Sequence, residues 1–276
     1  MNAEDFVKLQ NTEIEIMDEI HKICCEQGIR YYLIGGAAIG AIRHKGPIPW
    51  DVDIDIGMPR KDYVHFRAYC LEHLCGTNYE YHDWTNSDYY IPPHCLFCKK
   101  GTTVRTVYSQ FNKKQREYGA FVDVIPLDNA PDNPKELIRL EKKLRRIQRL
   151  KARKVCYFYT DFKNHKLEHI IKFIFSKLLF FLSIEKINEL EEKVMMTYDH
   201  VNTGYMASMA GKYNFKRETK PNWIYGRPTL ADFAGRKYFV PEHIHEFLTI
   251  NYGDYMKLPP KEEQQMNYDY FVEVKL

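Results

Sequence analysis

The chain has 276 residues, of which 45% are hydrophobic and 28% are charged, with a formal net charge of +3. These values are ordinary for a folded globular protein, and so small a charge gives no support for a nucleic-acid partner. The acidic N-terminus without an apolar core predicts no signal peptide, and seven scattered cysteines predict a reducing cytoplasm.

The first elements are predicted from apolar spacing and turn residues. Apolar residues at helical intervals predict an amphipathic helix over residues 5–27, ended by Gly28. A short strand at 31–34 runs into Gly35-Gly36 and then a helix of small residues at 37–43. This arrangement places two glycines between a strand and a helix.

Further strands and helices follow along the chain. We predict strands at 52–58, 95–99, 102–107 and 120–125, a helix at 61–74, and helical structure over 134–198. The remainder is aromatic and rich in loops. This order predicts an α+β fold with a core over 1–130 and a helical lobe with a loop-rich C-terminal segment over 131–276, packed together as one unit.

Two segments of the helical region have unusual composition. Residues 142–154 read KKLRRIQRLKARK, with Leu144, Ile147 and Leu150 at helical spacing. Such a helix presents its basic face to water, to an anionic membrane or to a phosphate-rich substrate. The apolar run at 170–184 is too short to span a bilayer and fits a buried helix or a helix on the membrane surface.

Three aspartates alternate with apolar residues where the chain reads DVDIDI, at 51–56. On a strand, Asp51, Asp53 and Asp55 would share one face. Crowded carboxylates are costly unless cations compensate them, and oxygen ligands of this kind suit Mg²⁺ or Mn²⁺ and thus phosphate substrates. The alternative is an edge strand with acids facing water, although aspartate is depleted in strands.

Other residues near this segment could complete a phosphate site. Gly35 and Gly36 would let the backbone approach a phosphate, although a plain tight turn explains them equally well. The basic run at 43–45 would contact an anion or form a surface cluster. Asp123, alone in an apolar strand, is the candidate third acid or a hydrogen-bonded structural residue, whereas Asp128, beyond Pro126, is predicted to lie in a turn.

Three separated blocks resemble the LicD/fukutin family of the nucleotidyltransferase superfamily. They read GGAAIGAIRHKGPIPWDVDIDIGMPRKDY at 35–63, GAFVDVIPLD at 119–128 and FVPEHIHEFLTINYGDYMKLPP at 239–260. The resemblance implies a nucleotidyltransferase-like mixed sheet flanked by helices. It also implies a transferase that moves phosphocholine, or a related alcohol phosphate, from a donor such as CDP-choline to a sugar hydroxyl, with release of CMP.

The acceptor that the resemblance implies is a surface glycan, such as a teichoic acid, a capsule polysaccharide or a lipopolysaccharide, or its lipid-linked precursor. The enzyme would then be cytoplasmic, with peripheral contact at the inner face of the membrane. Two other functions stay open. One is a nucleotidyltransferase that moves a nucleoside monophosphate from a triphosphate to a small molecule or sugar, and the other is an inactive binding module.

The resemblance also assigns residues. Asp53 and Asp55 would bind the metal together with Asp123, and Gly35 and Gly36 would lie along the donor phosphates. In the same block, Arg43 and His44 would bind the donor phosphates, and Trp50 and Asp51 would support the site. Lys99, at the end of a strand, is a further candidate for the donor phosphates.

The chain departs from the family pattern at two places. The family often has Thr-Leu-Leu where this chain has Ala-Ala-Ile at 37–39, so a hydroxyl that might touch phosphate is missing. A frequent second aspartate is Val52 here. By strand alternation Val52 points away from the metal, so we expect no loss of catalysis from it.

Two weaker patterns could indicate binding sites for other ligands, a zinc ion and a quaternary ammonium. Cys95-x-x-Cys98 with His82 and His94 is at most half a zinc site, because no second pair has ligand spacing. Aromatic residues would hold a quaternary ammonium over their faces, although 21 tyrosines make chance clusters common. The two candidate clusters are Trp84 with Tyr89 and Tyr90, and Trp223 with Tyr225.

Overall fold

The computed structural model describes residues 1–106, 117–155, 182–211, 213–265 and 270–276. The helices are α1 Ala3–Gln27, α2 Gly35–Ile39, α3 Arg60–His73, α4 Pro134–Val155, α5 Ile184–Met195, α6 Phe215–Glu218, α7 Asn222–Tyr225 and α8 Ile244–Tyr252. The strands are β1 Tyr32–Leu33, β2 Asp55–Pro59, β3 Tyr79–His82, β4 Cys95–Lys99, β5 Thr103–Thr106, β6 Phe121–Ala130, β7 Tyr205–Ala207, β8 Thr219–Pro221, β9 Thr229–Phe233, β10 Arg236–Val240 and β11 Phe271–Lys275. A turn of π-helix, Gly40–His44, continues α2. The predicted α+β class is confirmed.

The main sheet is mixed and centred on β6, in the order β1-β2-β6-β4-β3. β2 runs parallel to β6 with Asp55 opposite Asp123. β4 runs antiparallel to β6 on its other side, with Leu96 opposite Asp123. The far end of β6 pairs with β7, and β7 pairs with β8. This register places acidic residues of two parallel strands side by side.

The strand predicted at 52–58 is wrong at its start, because β2 begins at Asp55. The preceding residues form a loop in which Asp51 N–H donates to the carbonyl of Ile48 (3.0 Å). The side-chain amide of Gln10 donates to the carbonyls of Ile48 (3.0 Å) and Asp51 (3.1 Å). These hydrogen bonds hold Ile48 and Asp51 in a loop, and residues 52–54 complete that loop before β2 begins. Ile54 is nevertheless buried, as the alternation predicted.

The prediction that Asp128 lies in a turn is also wrong. β6 continues through Pro126 to Ala130, and Asp128 is fully buried. The proline is tolerated because it falls between the part of β6 that pairs with β4, up to Val124, and the part that pairs with β7, from Asp128. Asp128 accepts two hydrogen bonds from the buried guanidinium of Arg60, at 2.6 and 2.9 Å.

Helix α1 packs its apolar face against the sheet. The side chain of Asn2 accepts a hydrogen bond from Asp5 N–H (2.8 Å), and the helix ends at Gly28, whose φ is +66°. A left-handed residue at this position is typical of helix ends and favours glycine. Each buried apolar side chain of the helix, such as Ile16 or Met17, stabilises the folded state by about 1.5–3 kcal/mol because it is removed from water.

Helices α4 and α5 form a second apolar cluster, in which Leu144 and Ile147 are buried. The basic segment 142–154 is helical as predicted, but its Lys151 does not face solvent: it is buried in an ion pair with Glu191. Of the apolar run at 170–184, all but the last three residues lie outside the described chain. Among the residues that the structure describes, we find no helix long and apolar enough to cross a lipid bilayer.

The C-terminal region contains more regular structure than the loop-rich segment we expected. β9 and β10 form an antiparallel hairpin, and β11 pairs with β5. Aromatic side chains of this region, such as Tyr225, Phe247 and Phe271, are buried in the same cluster as the sheet. Short strands of this kind are stabilised by partners distant in sequence, so local patterning does not indicate them. The division at residue 130 stays a prediction.

Candidate active site

Three carboxylates converge where β2 and β6 begin. Asp53, Asp55 and Asp123 each offer an oxygen, and these atoms all lie within 4.8 Å of one another. Asp55 and Asp123 are register partners on parallel strands, and Asp53 lies in the loop two residues earlier. All three are partly buried, so their mutual repulsion is poorly screened without a cation. This set of hard oxygen donors fits Mg²⁺ or Mn²⁺.

The two glycines make room for acidic side chains. A Cβ built on Gly35, whose φ is +59°, would lie 2.8 Å from Oδ2 of Asp55. A Cβ on Gly36 would overlap Oδ2 of Asp51. Close packing against carboxylates therefore requires glycine at both positions. The expected contact of these glycines with donor phosphates stays a prediction.

Helix α1 fixes the loop that carries the first acids. The side-chain amide of Gln10, a buried residue of the helix, donates the two hydrogen bonds described above and so ties the loop to α1. Asp51 also accepts a hydrogen bond on Oδ1 from the N–H of Val52 (3.2 Å). Val52 itself packs against the main core. These contacts hold Asp51 in place without a strand.

His94 orients the third acid. Its Nε2 lies 2.9 Å from Oδ1 of Asp123, and the backbone carbonyl of His94 accepts a hydrogen bond from the hydroxyl of Tyr90 (2.8 Å). Hydrogen bonds of this kind hold metal-binding carboxylates in position. Sequence reasoning considered His94 only for zinc. The contact depends on the antiparallel register of β4 and β6, which local patterning does not indicate.

Glu13 is a further acid that sequence reasoning missed. It lies on α1 and is only 4% exposed. Burial raises the pKa of Glu13 well above its ordinary value, and the negative charges of Asp53 and Asp51 raise it further. A glutamate in an amphipathic helix looks like an ordinary surface residue in sequence, so only tertiary packing indicates that this one borders the acidic site.

A cavity of about 430 Å³ opens on the acids. Its size is in the range of small-molecule sites. One wall, which we call the acid wall, is formed by Ile34 and by residues of the first block: Gly35, Gly36, Ile39, Asp51, Asp53 and Asp55. The rest of the cavity wall, which we call the C-terminal wall, comes from residues after 207: Ser208, Gly211, Tyr213, Glu218, Lys220, Tyr225, Phe247, Asn251 and Tyr252. Ile125 and Leu127 of β6 complete the cavity.

The C-terminal wall holds a buried lysine, Lys220, and a partly buried glutamate, Glu218. Lys220 is only 1% exposed, and its amine donates to the backbone carbonyl of Arg217. Burial lowers the pKa of Lys220 to about 8. Burial raises the pKa of Glu218, although the charge of Lys220 opposes that change. Sequence reasoning assigned neither residue, because this segment carries no motif and reads as a loop.

Several predicted donor-binding residues lie elsewhere in the described chain. The Arg43 guanidinium donates to the carbonyls of Tyr255 (2.7 Å) and Lys257 (3.3 Å). The rings of His44 and Trp50 meet edge to face, 5.9 Å apart. The amine of Lys99 forms an ion pair with Glu15. None of these side chains is among the described residues that line the cavity, and their roles in donor binding stay predictions.

The half zinc site is not supported by the geometry. Cys95 and Cys98 are three residues apart on β4, so their side chains point to opposite faces of the sheet. They are buried in two different apolar clusters. Within the described residues, the group of acids, histidines and cysteines with metal-binding geometry is the three aspartates.

The two candidate aromatic cages differ in position. The indole N–H of Trp84 donates to Glu192 (3.0 Å), and Tyr90 is fully buried. Trp223 is exposed, whereas its neighbour Tyr225 lines the cavity. The binding of a quaternary ammonium by either cluster stays a prediction.

Comparison with known proteins identifies a family and several relatives that this chain resembles. Residues 28–129 match the family described as LicD/FKTN/FKRP, nucleotidyltransferase domain. Over 253 residues, 91% of each chain, this protein is 31% identical to the lipopolysaccharide cholinephosphotransferase LicD of Haemophilus influenzae. A 35-residue segment, 13% of this chain and 7% of the relative, is 51% identical to the ribitol 5-phosphate transferase FKRP of human and of mouse.

Proposed function

The chain belongs to the LicD/fukutin family of phosphotransferases, and from this premise we propose that it transfers phosphocholine, or a related alcohol phosphate, from a CDP-linked donor to a sugar hydroxyl. The acceptor in this proposal is a cell-surface glycan or its lipid-linked precursor. The observation that carries the proposal is the group of three aspartates within 4.8 Å beside a cavity. Similarity over 91% of the chain to a cholinephosphotransferase supports the choice of transferred group.

In this proposal Asp53, Asp55 and Asp123 hold one or two Mg²⁺ or Mn²⁺ ions. A bound ion of this type neutralises phosphate oxygens and stabilises charge that develops during transfer at phosphorus. The chain itself contributes the placement. The register of β2 and β6 sets the spacing of two carboxylates, and His94 holds the third at 2.9 Å. The glycines allow the carboxylates to approach the backbone.

The proposed reaction is an in-line displacement. The acceptor hydroxyl oxygen attacks the phosphorus that bears the choline, and the bond from that phosphorus to the bridging oxygen breaks. CMP leaves with the electron pair, and a carboxylate of the acid wall takes the hydroxyl proton. A nucleotidyltransferase would instead attack the nucleotide's own phosphorus in a triphosphate and release pyrophosphate. Positioning of the donor selects between the two reactions.

We place the enzyme in the cytoplasm, at the inner face of the membrane where lipid-linked precursors are found. The feature that supports peripheral contact is the exposed basic face of α4, which consists of Lys142, Lys143, Arg146, Arg149 and Arg153. Anionic lipid attracts basic residues by about 1 kcal/mol each near the surface. Binding to vesicles with and without anionic lipid, at low and high salt, tests this part of the proposal.

A ligand screen tests the donor. The purified protein with Mg²⁺ is melted in the presence of CDP-choline, CDP-ethanolamine, CDP-ribitol, CDP-glycerol and the four nucleoside triphosphates. A ligand at one hundred times its Kd adds about 2.7 kcal/mol to the unfolding free energy, so a true donor stands out. We expect a CDP-alcohol to raise Tm and to yield CMP with a glycan acceptor. A shift by a triphosphate alone, with pyrophosphate released, would make the proposal wrong.

A further inference from the structure

We propose that Lys220 is a catalytic residue that contacts the donor diphosphate in the cavity that it lines together with Asp53 and Asp55. The inference rests on the proposed function and names a residue that no motif in the sequence indicates. It follows from the position of Lys220 in the cavity, from its burial and from the incomplete compensation of its charge.

The topology brings Lys220 to the cavity from a distant part of the chain. β6 carries Asp123 near its start, and its far end pairs Asn129 with Met206 of β7. Met206 in turn pairs with Lys220 of β8. Two strand pairings therefore connect the acid-bearing strand to the lysine. Lys220 lines the same cavity as Asp53 and Asp55.

Burial of this lysine is costly and needs a reason. An ammonium group removed from water loses its hydration unless hydrogen bonds or an opposite charge replace it. The partners of Lys220 are the carbonyl of Arg217, the carboxylate of Glu218 and the ring of Phe247, whose centroid lies 5.7 Å from Nζ. The positive charge of Arg217 opposes that of the lysine.

These partners compensate the charge only in part. Burial lowers the pKa of Lys220 from its ordinary value of 10.5 to about 8, even though Glu218 acts to raise it. At neutral pH the amine is thus still protonated, in a site that does not fully stabilise its charge. A phosphate anion in the cavity would supply the missing stabilisation.

The chemistry of the transfer gives this cation a specific task. When the bond between the choline-bearing phosphorus and the bridging oxygen breaks, negative charge builds up on the departing CMP and on the transferred phosphoryl oxygens. The aspartates would stabilise this negative charge through the cations that they hold. An ammonium on the C-terminal wall donates hydrogen bonds to the same group of oxygens. A donor held by both walls would also have its phosphates aligned for attack.

A purely structural explanation makes a different prediction. If Lys220 only neutralises Glu218, replacement of both charges by neutral groups should restore activity, because no buried charge is then left unpaired. If Lys220 contacts phosphate, the double variant should stay impaired. The pair Lys220→Met and Glu218→Gln therefore separates the two roles.

The experiment uses the full chain and four variants: Lys220→Met, Glu218→Gln, their combination, and Lys216→Met as the matched control. Lys216 is an exposed lysine of α6, four residues from Lys220. The measurements are CMP release from CDP-choline, calorimetric binding of pyrophosphate with Mg²⁺, and Mn²⁺ binding followed by electron paramagnetic resonance. Pyrophosphate is the probe for diphosphate recognition, and Mn²⁺ reports on the acid wall alone.

We expect Lys220→Met to lower kcat/KM by about a hundredfold or more and to weaken pyrophosphate binding about tenfold, with Mn²⁺ binding unchanged. The Lys216→Met control should stay within about twofold of the parent chain. Should Lys220→Met fail to fold, Lys220→Gln keeps a donor for the Arg217 carbonyl without the charge and serves in its place. Recovery of activity in the double variant, or unchanged pyrophosphate affinity in Lys220→Met, would overturn the inference.

The two proposals fail in distinguishable ways. If the parent chain uses no CDP-alcohol, the proposed function is wrong, and pyrophosphate affinity still decides whether Lys220 contacts phosphate. If the parent chain releases CMP and Lys220→Met does so equally well, the function stands and the role of Lys220 is wrong.

Discussion

The two walls of the cavity are constructed in different ways. The acid wall comes from one short stretch, residues 34–55, whose glycines and alternating aspartates are visible in the sequence. The C-terminal wall is gathered from residues 208–252, where short strands and helices alternate without a motif. Two of the three carboxylates that we propose to bind metal, Asp53 and Asp55, are therefore encoded locally. The charge and shape of the C-terminal wall depend on long-range packing.

The walls also differ in what holds them in place. Backbone pairing of β2 with β6 fixes Asp55 and Asp123, and a helix side chain fixes the loop before β2. In the C-terminal wall, side-chain hydrogen bonds add to the backbone pairing of β7 with β8. Arg145 of α4 donates to the carbonyls of Gly211 (3.1 Å) and Tyr213 (2.6 Å). We expect changes in the acid wall to abolish activity and changes in the C-terminal wall to reduce it.

The largest expected effect is at the acid wall. Asp53→Asn removes one charged ligand from a group of three, so we expect kcat/KM to fall by about a thousandfold or more. Mn²⁺ binding should weaken in parallel. In the absence of metal, Tm should stay the same or rise, because the repulsion between carboxylates is smaller. CMP release, Mn²⁺ titration and thermal melting provide the three measurements.

Asp232→Asn on β9 is the matched control, because Asp232 is exposed and distant from the acids in sequence. Near-normal activity of Asp53→Asn, together with intact Mn²⁺ affinity, would contradict the proposed metal site. It would also remove the contrast between the two walls.

A smaller loss is expected from His94→Ala. The variant keeps all three aspartates but frees Asp123 from the contact at 2.9 Å. Loss of such a supporting hydrogen bond costs about 10–100-fold in metal affinity or activity. If His94 acts by positioning Asp123, higher Mn²⁺ concentration should recover part of the activity. Equal loss at every metal concentration would argue for a different role.

Gly36→Ala tests the close packing of the acid wall. Because the added Cβ would overlap Oδ2 of Asp51, the carboxylate and its loop must shift. We expect a loss of about 2–3 kcal/mol in the free energy of unfolding, measured by urea denaturation, together with reduced activity. Gly46→Ala is the control, since the nearest atom to its Cβ is at 3.5 Å. Equal stability of the two variants would refute the packing role.

The smallest expected effect concerns the C-terminal wall and is a gain in stability, whereas the changes above cause losses. Since burial lowers the pKa of Lys220 from 10.5 to about 8, the native state below pH 8 holds a proton that it disfavours. The stability contribution of this group is therefore complete above pH 10.5 and is lost as the pH falls through 8. The double variant Lys220→Met with Glu218→Gln removes this penalty without leaving Glu218 unpaired, so its unfolding free energy at pH 7 should exceed that of the parent chain by about 1–2 kcal/mol.

The measurement is urea denaturation of both chains between pH 7 and pH 10.5. The difference should shrink as the pH rises, with Glu218 and Arg217 as the charged neighbours that set the midpoint. A variant less stable than the parent at every pH would mean that Lys220 stabilises the fold. A gain in stability with a loss of activity is typical of functional residues.

The sequence identified the α+β class, helix α1, the strand at 95–99 and the three aspartates. These features follow from local rules: helical spacing of apolar residues, and the scarcity of aspartate beside isoleucine in a strand. Family resemblance joined Asp123 to Asp53 and Asp55 across some seventy residues. The predicted start of β2 is wrong because the residues before Asp55 belong to a loop, which a hydrogen bond from Gln10, distant in sequence, holds at Asp51.

What the sequence alone determined is thus the acid wall, because a strand period and a pair of glycines express its geometry within a few neighbouring residues. Tertiary structure alone decided the rest: Asp128 in a buried ion pair, His94 against Asp123, Glu13 beside the acids, and Lys220 in the same cavity. The physical reason is that burial and charge pairing depend on which strands are neighbours. The same lysine or glutamate is an ordinary surface residue until the register of distant strands removes it from water.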